Sequence, residues 1–237
     1  LSLPPWGFWP LAIVGVALFE VSLGESPTAR QRFVRGLLFG AGWLFPGMGW
    51  MWFLTAPGYV VVGLMFASLH GLAALASPTG PWRVIARPAA HTLVEALRLV
   101  VPFGGVPLAT LSMSQAASPL APVVRTLGSL LLVALVVVGG VALSALAARE
   151  WRTALACVAV IAACLAWAGV APRGHVVRSL DVAVVQGGGE QRTRANPESN
   201  LIVFDRHVAA TRTIDRAVDL VLWPENASDI DPFTDAS

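Results

Sequence analysis

The chain has 237 residues, 56% of them hydrophobic and only 13% charged, with a formal net charge of +2. Its mean hydropathy is +0.69. A soluble domain carries about a quarter charged residues, so this composition argues against an ordinary soluble globule. Nucleic-acid binding is disfavoured as well, because there is no basic run and all sixteen cationic residues are arginine.

The charges divide the chain into two regions. Residues 1–170 hold nine Arg and four acidic residues, whereas 171–237 hold seven Arg and ten acidic residues. The first region is a series of apolar runs and the second reads like a soluble protein. Domain limits of 1–172 and 173–237 follow. About 20 apolar residues suffice to span a bilayer as a helix, and six runs qualify: 6–23, 33–54, 59–76, 85–101, 123–148 and 151–171. Several are rich in Gly and Ala, which suits close helix packing in lipid. The first has no basic stretch ahead of it and does not read as a signal peptide.

Arginine placement orients these spans. Arg30, Arg32 and Arg35 follow the first, Arg83 and Arg87 the third, and Arg149 and Arg152 the fifth; the alternate linkers 55–58 and 102–122 carry no charge. Cytoplasmic linkers carry the excess of Lys and Arg, so the odd-numbered linkers are expected inside and the polar region outside the cytoplasm. Arg125 is the discordant charge, and its long side chain can reach the interface.

Within the fourth run, Glu95 and Arg98 are three residues apart and share a helix face. Intramembrane ions are usually paired or functional. Two readings are open: a structural ion pair, or a polar lining for a lipid headgroup site. Glu20, near the end of the first run, reads as structural. The linker 102–122 is either a plain outer loop or a segment dipping into the outer leaflet. Cys157 and Cys164 lie seven residues apart in the sixth run. That is roughly 10 Å along a helix, too far for a disulfide, so they read as small packing residues.

In the polar region, residues 181–186 (DVAVVQ) form a short apolar run that ends in Gly187, Gly188 and Gly189. This is a strand followed by a glycine turn. No GKS or GKT follows and no G-x-G-x-x-G opens a helix, so a nucleotide site is not indicated. Asn196-Pro197 reads as a helix cap and first helical position. Leu201, Phe204, Val208, Ile214 and Ala217 then form the apolar stripe, with His207 beside it as a partly exposed surface residue. Residues 219–223 (DLVLW) make a second strand, followed by Pro224, Glu225, Asn226 and Ala227. Strand, helix and strand in this order pair in parallel through a crossover, and chemistry in such sheets gathers at the carboxyl ends of strands. Glu225 sits at such an end, where a carboxylate held rigidly and partly desolvated by Trp223 can act as a general base.

The combination of DVAVVQG at 181–187 and DLVLWPENA at 219–227 resembles the opening of a nitrilase-type, carbon–nitrogen hydrolase domain. Such a domain behind a multispan membrane part is similar to the apolipoprotein N-acyltransferase family. LPPWGFWPL at 3–11, RGLLFGAGWLFPGMGWMW at 35–52, the Glu95-x-x-Arg98 pair, Pro102-Phe103, Ser114-Gln115 and Pro119-Leu120 resemble that family's membrane segments. The QGGG form and the alanine-rich, lysine-free composition look actinobacterial.

The resemblance implies a multispan α-helical membrane bundle followed by the start of an extracytoplasmic α/β nitrilase-like (α-β-β-α sandwich) domain. It implies a Glu–Lys–Cys triad in which Glu225 is the Glu. No lysine is present, and both cysteines precede Glu225, so the chain reads as an amino-terminal and middle fragment. The implied reaction moves a fatty acyl chain from a phospholipid to a cysteine thioester, then to the α-amino group of a lipoprotein's diacylglyceryl-cysteine. It requires no metal and no organic cofactor. Its partners are the phospholipid donor, the diacylglyceryl apolipoprotein and the bilayer of the cell membrane, with no nucleic acid. A membrane-anchored amidase and a transporter lined by Glu95 and Arg98 are the competing readings. Six spans exceed what an anchor needs, and no internal repeat supports a transporter.

Overall fold

The computed structural model describes residues 1–102, 104–189, 197–225 and 227. The chain divides into two compact units, Leu1–Pro172 and Arg173–Ser237.

The first unit is helical. Helix α1 (Pro10–Leu23) opens on a proline and stops at Gly24, whose φ of 68° is the left-handed conformation glycine adopts freely. Helix α2 (Ala29–Gly47) starts at a capping box: the Gln31 N–H donates to Thr28 Oγ1 at 3.2 Å, and the Thr28 N–H donates to Gln31 Oε1 at 2.9 Å. A single turn, α3 (Met51–Leu54), leads to α4 (Ala56–Ala76), which Thr55 caps through the Gly58 N–H. Helix α5 (Arg83–Arg98) precedes an irregular linker with two turns of 3₁₀ helix, Met113–Gln115 and Ala121–Val123. Helices α6 (Val124–Ala147) and α7 (Trp151–Val170) complete the unit.

Each of the six apolar runs is therefore helical over most of its length. Three helical segments are long and apolar enough to cross a membrane: Ala56–Ala76, Ala121–Ala147 and Trp151–Val170. The other three fall short for identifiable reasons. Helix α1 has 14 residues, about 21 Å of rise against a hydrocarbon core of about 30 Å. Helix α2 begins seven residues before its apolar core with Arg30, Arg32 and Arg35, and α5 carries Arg83, Arg87, Glu95 and Arg98.

The arginines at the start of α2 bind the ends of other helices. Arg35 Nη1 donates to the Leu23 carbonyl of α1 at 2.7 Å, and Arg32 Nη1 to the Ser77 carbonyl after α4 at 3.2 Å. The last carbonyls of a helix have no intrahelical partner and carry its negative dipole end, so cations belong there. Arg125 acts the same way at the opposite end, donating from Nη2 to the Ala168 carbonyl in the last turn of α7 at 2.6 Å. The discordant arginine is a helix-end clamp.

Helices α2 and α4 approach closely through a G-x-x-x-G pair, Gly36 and Gly40. A β-carbon on Gly36 would lie 2.6 Å from Ala74 Cβ and 2.6 Å from the His70 carbonyl oxygen; one on Gly40 would lie 3.0 Å from Ala67 Cα. Backbone cannot yield as a flexible side chain can. Gly36→Ala is accordingly expected to destabilise the unit by about 1–3 kcal/mol, read as a lowered midpoint of unfolding in detergent. Gly42→Ala on the same helix is the matched control, since nothing lies within 4 Å of its added carbon and a helical Gly→Ala change is favourable in itself.

The uncharged linker packs into the bundle rather than standing free as a plain loop. Leu111 joins Ala12, Val16, Val133, Val136 and Val137 in one buried cluster, and Ala109 joins Leu44, Met48 and Phe66 in another. Phe103 lies outside the described residues.

In the second unit, β1 (Val182–Val184) pairs in parallel with β2 (Leu220–Leu222), Val182 opposite Leu220 and Val184 opposite Leu222. Helix α8 (Pro197–Thr211) connects them. Asn196, the expected cap, lies outside the described residues. The buried positions of α8 are Val203 and His207. Leu201 is exposed, and Ile214 and Ala217 fall beyond the helix. The expected stripe is therefore rotated, and His207 is a buried residue of this unit rather than a surface one.

Candidate functional site

Two loci carry chemistry, one in each unit. In the first, helix α5 is amphipathic in the inverted sense. Its buried face is ionisable: Arg87, His91, Glu95 and Arg98, each at most 2% exposed. Its outer face is the four-residue repeat Ile85, Ala89, Leu93 and Leu97, all exposed. A helix in water turns its charges outward. The reverse arrangement suits an outer face in contact with hydrocarbon, and the low hydropathy of α5 reflects its buried ionisable face.

That interior is a connected cluster. Arg98 Nη1 donates to Glu95 Oε1, and its Nη2 donates to the Leu108 carbonyl at 2.8 Å. The Leu111 N–H reaches Glu95 Oε2 at 3.4 Å. The guanidinium lies over the rings of Phe66 and Trp43, 4.8 and 5.7 Å from their centroids. Trp43 Nε1 donates to the Ala109 carbonyl at 2.8 Å. Glu95, Arg98 and Trp43 thus tie the linker at Leu108, Ala109 and Leu111, and Gln115 Nε2 ties it again to the Trp9 carbonyl at 3.0 Å. These contacts join the Glu95–Arg98 pair to the linker.

His70 of α4 stacks on His91 with Nδ1 atoms 3.0 Å apart, and its Nε2 is 3.9 Å from Glu95 Oε1. His70 is the contributor the sequence reading missed. The available signal was a histidine in the middle of an otherwise apolar span, since polar groups inside a membrane usually face the interior and find partners. Toward the other end of α5, Arg87 Nε lies 2.5 Å from Glu20 Oε1 and Arg83 Nη2 donates to Glu150 Oε2 at 2.7 Å. Glu20 is buried beside Arg87 rather than at a water-exposed helix end. Beside the linker, an apolar cavity of about 390 Å³ is lined by Trp6, Leu11, Gly15, Phe39, Trp43 and Leu111, among others.

The second locus is the carboxyl edge of the two strands. Because β1 and β2 are parallel, the segments 186–189 and 223–225 leave the sheet on one side, with the Val185 N–H donating to the Leu222 carbonyl at 2.9 Å. Glu225 is exposed on that edge. It starts a turn closed by the Ala227 N–H on the Pro224 carbonyl at 3.3 Å. Asn226 lies outside the described residues. Among the described residues, no group of three or more His, Cys, Asp or Glu could hold a metal ion.

Membrane-length helices joined to a helix with an inward polar face and an outward apolar one define a multi-pass membrane protein. The chain belongs to the family described as the apolipoprotein N-acyltransferase N-terminal domain, whose model matches residues 1–143. It is similar to proteins named apolipoprotein N-acyltransferase from Azotobacter vinelandii (30% identical over 254 aligned positions), Photobacterium profundum (26% over 248) and Pseudomonas putida (29% over 256). Each alignment covers 96% of this chain and 47–49% of the relative. The chain thus spans about half the length of the curated relatives it matches. None of these three sources supports an actinobacterial origin.

Proposed function

We propose that this chain is the membrane domain and the beginning of the catalytic domain of an apolipoprotein N-acyltransferase. The observation that carries the reading is the family match over residues 1–143, coincident with a helical bundle built for lipid. Residues 1–172 form a transmembrane domain of about six spans, α5 among them by virtue of its apolar outer face. Residues 173–237 open a nitrilase-like α-β-β-α sandwich, of which β1, α8 and β2 are the first elements. The arginine-rich linkers are cytoplasmic and the sandwich extracytoplasmic.

In the reaction a cysteine thiolate attacks the ester carbonyl of a phospholipid acyl chain. A sulfur–carbon bond forms, the carbon–oxygen ester bond breaks, and a lysophospholipid leaves. The α-amino group of a diacylglyceryl-cysteine then attacks the thioester, forming the amide and releasing the thiol. Glu225 takes the proton from the thiol and returns it to the departing lysophospholipid oxygen in the first step; in the second it takes a proton from the amine and returns it to the departing cysteine sulfur. A lysine ammonium stabilises each tetrahedral oxyanion. Under this reading the cysteine, and the lysine this chain lacks, lie in a part of the protein that these residues do not include. The apolar cavity beside the linker and the lipid-facing helices suit substrates that both reside in the bilayer.

Two measurements test the reading. The full-length protein, incubated with a phospholipid carrying a labelled acyl chain, is expected to acquire a hydroxylamine-labile label and pass it to a diacylglyceryl lipopeptide. Reporter fusions at Gly58, Ser118 and Gly188 are all expected to report the outer side. A cytoplasmic signal at Gly188 would overturn the topology, and an unlabelled protein the acyl transfer.

A further inference from the structure

We infer that Thr211 and His207 of α8 are positioning residues for Glu225, acting through the indole of Trp223. The inference rests on the reading of Glu225 as general base. Trp223 stands two residues before Glu225, and the residue between them is Pro224, whose ring fixes its own φ. The placement of the indole is thereby passed to Glu225 through an unusually stiff link.

Three side chains of α8 hold that indole. Phe204 meets it edge-on, with ring centroids 5.7 Å apart at 72°. His207 lies against it at 5.4 Å. Thr211 Oγ1 accepts the indole N–H at 2.9 Å. The same hydroxyl donates to the His207 carbonyl at 2.8 Å, so its proton points along the helix and its lone pair is left for the indole. The His207 ring is itself fixed: it is 2% exposed, and its Nδ1 is 2.7 Å from the Val203 carbonyl, which makes Nδ1 the protonated nitrogen. The backbone of α8 also seats the end of β1, since a β-carbon on Gly187 would lie 2.5 Å from the His207 nitrogen. On the far side of Glu225, the buried Ala227 closes the turn. Glu225 is exposed, yet Trp223 before it and Ala227 after it are anchored.

A general base works within hydrogen-bond reach of its proton, and a displacement of about 1 Å is enough to lower a rate 10²-fold. Anchoring Trp223 therefore sets the rate without touching substrate. The test uses the full-length protein with Thr211→Val, which keeps the volume and removes the acceptor, and Thr211→Ser, which keeps the hydroxyl. Thioester formation from a labelled phosphatidyl donor is followed in single turnovers, alongside KM for the phospholipid and the amount of folded protein. Thr211→Val is expected to slow thioester formation about tenfold or more per folded molecule with KM unchanged, and Thr211→Ser to restore it to within about twofold. Trp223→Phe removes the same hydrogen bond from the other side and replaces Thr211→Val if that variant does not fold. A Thr211→Val protein that turns over at the wild-type rate per folded molecule overturns the inference, even if it is less stable. A wild-type protein that forms no thioester overturns the general-base reading itself, and the inference with it.

Discussion

Glu225→Gln in the full-length protein is expected to lower thioester formation by about 10²–10⁴-fold, the usual contribution of a placed general base, while leaving expression and membrane insertion unchanged. Gln preserves the shape of the side chain and its ability to accept a hydrogen bond, but it cannot take a proton at neutral pH. Glu225 is exposed on the carboxyl edge of β1 and β2, so little stability depends on its charge. If the carboxylate merely decorates the turn closed by Ala227 on Pro224, the Gln variant keeps nearly the full rate. The two outcomes differ by orders of magnitude. One acylation assay at matched expression separates them, and near-wild-type turnover would remove Glu225 from the mechanism.

The parts of the fold that were legible are those set by local pattern. DVAVV and DLVLW are too short and too uniformly apolar to be helices beside their glycine and proline punctuation, and they are β1 and β2. The three runs of membrane length are helices because runs of Leu, Val, Ala and Gly long enough to cross a bilayer have no other way to satisfy their backbone there. The start of α2 was also written in the sequence, as Thr28-x-x-Gln31, but a search for apolar residues passes over a charged first turn.

The illegible parts depend on contacts between distant residues. Trp43, Glu95 and Arg98 hold the linker 102–122 by its backbone, at the Ala109 and Leu108 carbonyls and the Leu111 N–H. Every residue has such groups, so nothing in the linker's own sequence marks it as bound. The His70–His91 contact joins residues 21 apart on different helices. On α8, counting apolar residues points the helix inward through Leu201, whereas a buried histidine supplies the inward position; the pattern scores His207 as polar although Trp223, Phe204 and Thr211 give its surroundings a use for it.

Arg98→Ala is expected to cost on the order of 3–5 kcal/mol, the range for breaking a buried ion pair by removing one partner. The variant would leave the Glu95 carboxylate buried beside His70 and strip the Leu108 carbonyl of its donor. Glu95→Ala should be damaging too, though the guanidinium would keep the faces of Phe66 and Trp43. Because each single change exposes a cost that the other removes, the double variant should lose less than the sum of the two, by about 1–3 kcal/mol. Arg98→Lys should fall between, since a point charge cannot bond the carboxylate and the Leu108 carbonyl in one planar fork. Unfolding in mixed micelles measures the energies, and strictly additive values would refute the coupling. A second readout separates a clamp from a ligand-lining pair. Ser114 is 3% exposed, so Ser114→Cys should resist an impermeant maleimide in the native background and react rapidly once Arg98 is replaced, because the linker has lost its fastening. A pair that lined a headgroup site would instead weaken phospholipid binding and leave Ser114→Cys protected. Protection that persists in the Arg98→Ala background would therefore refute the clamp.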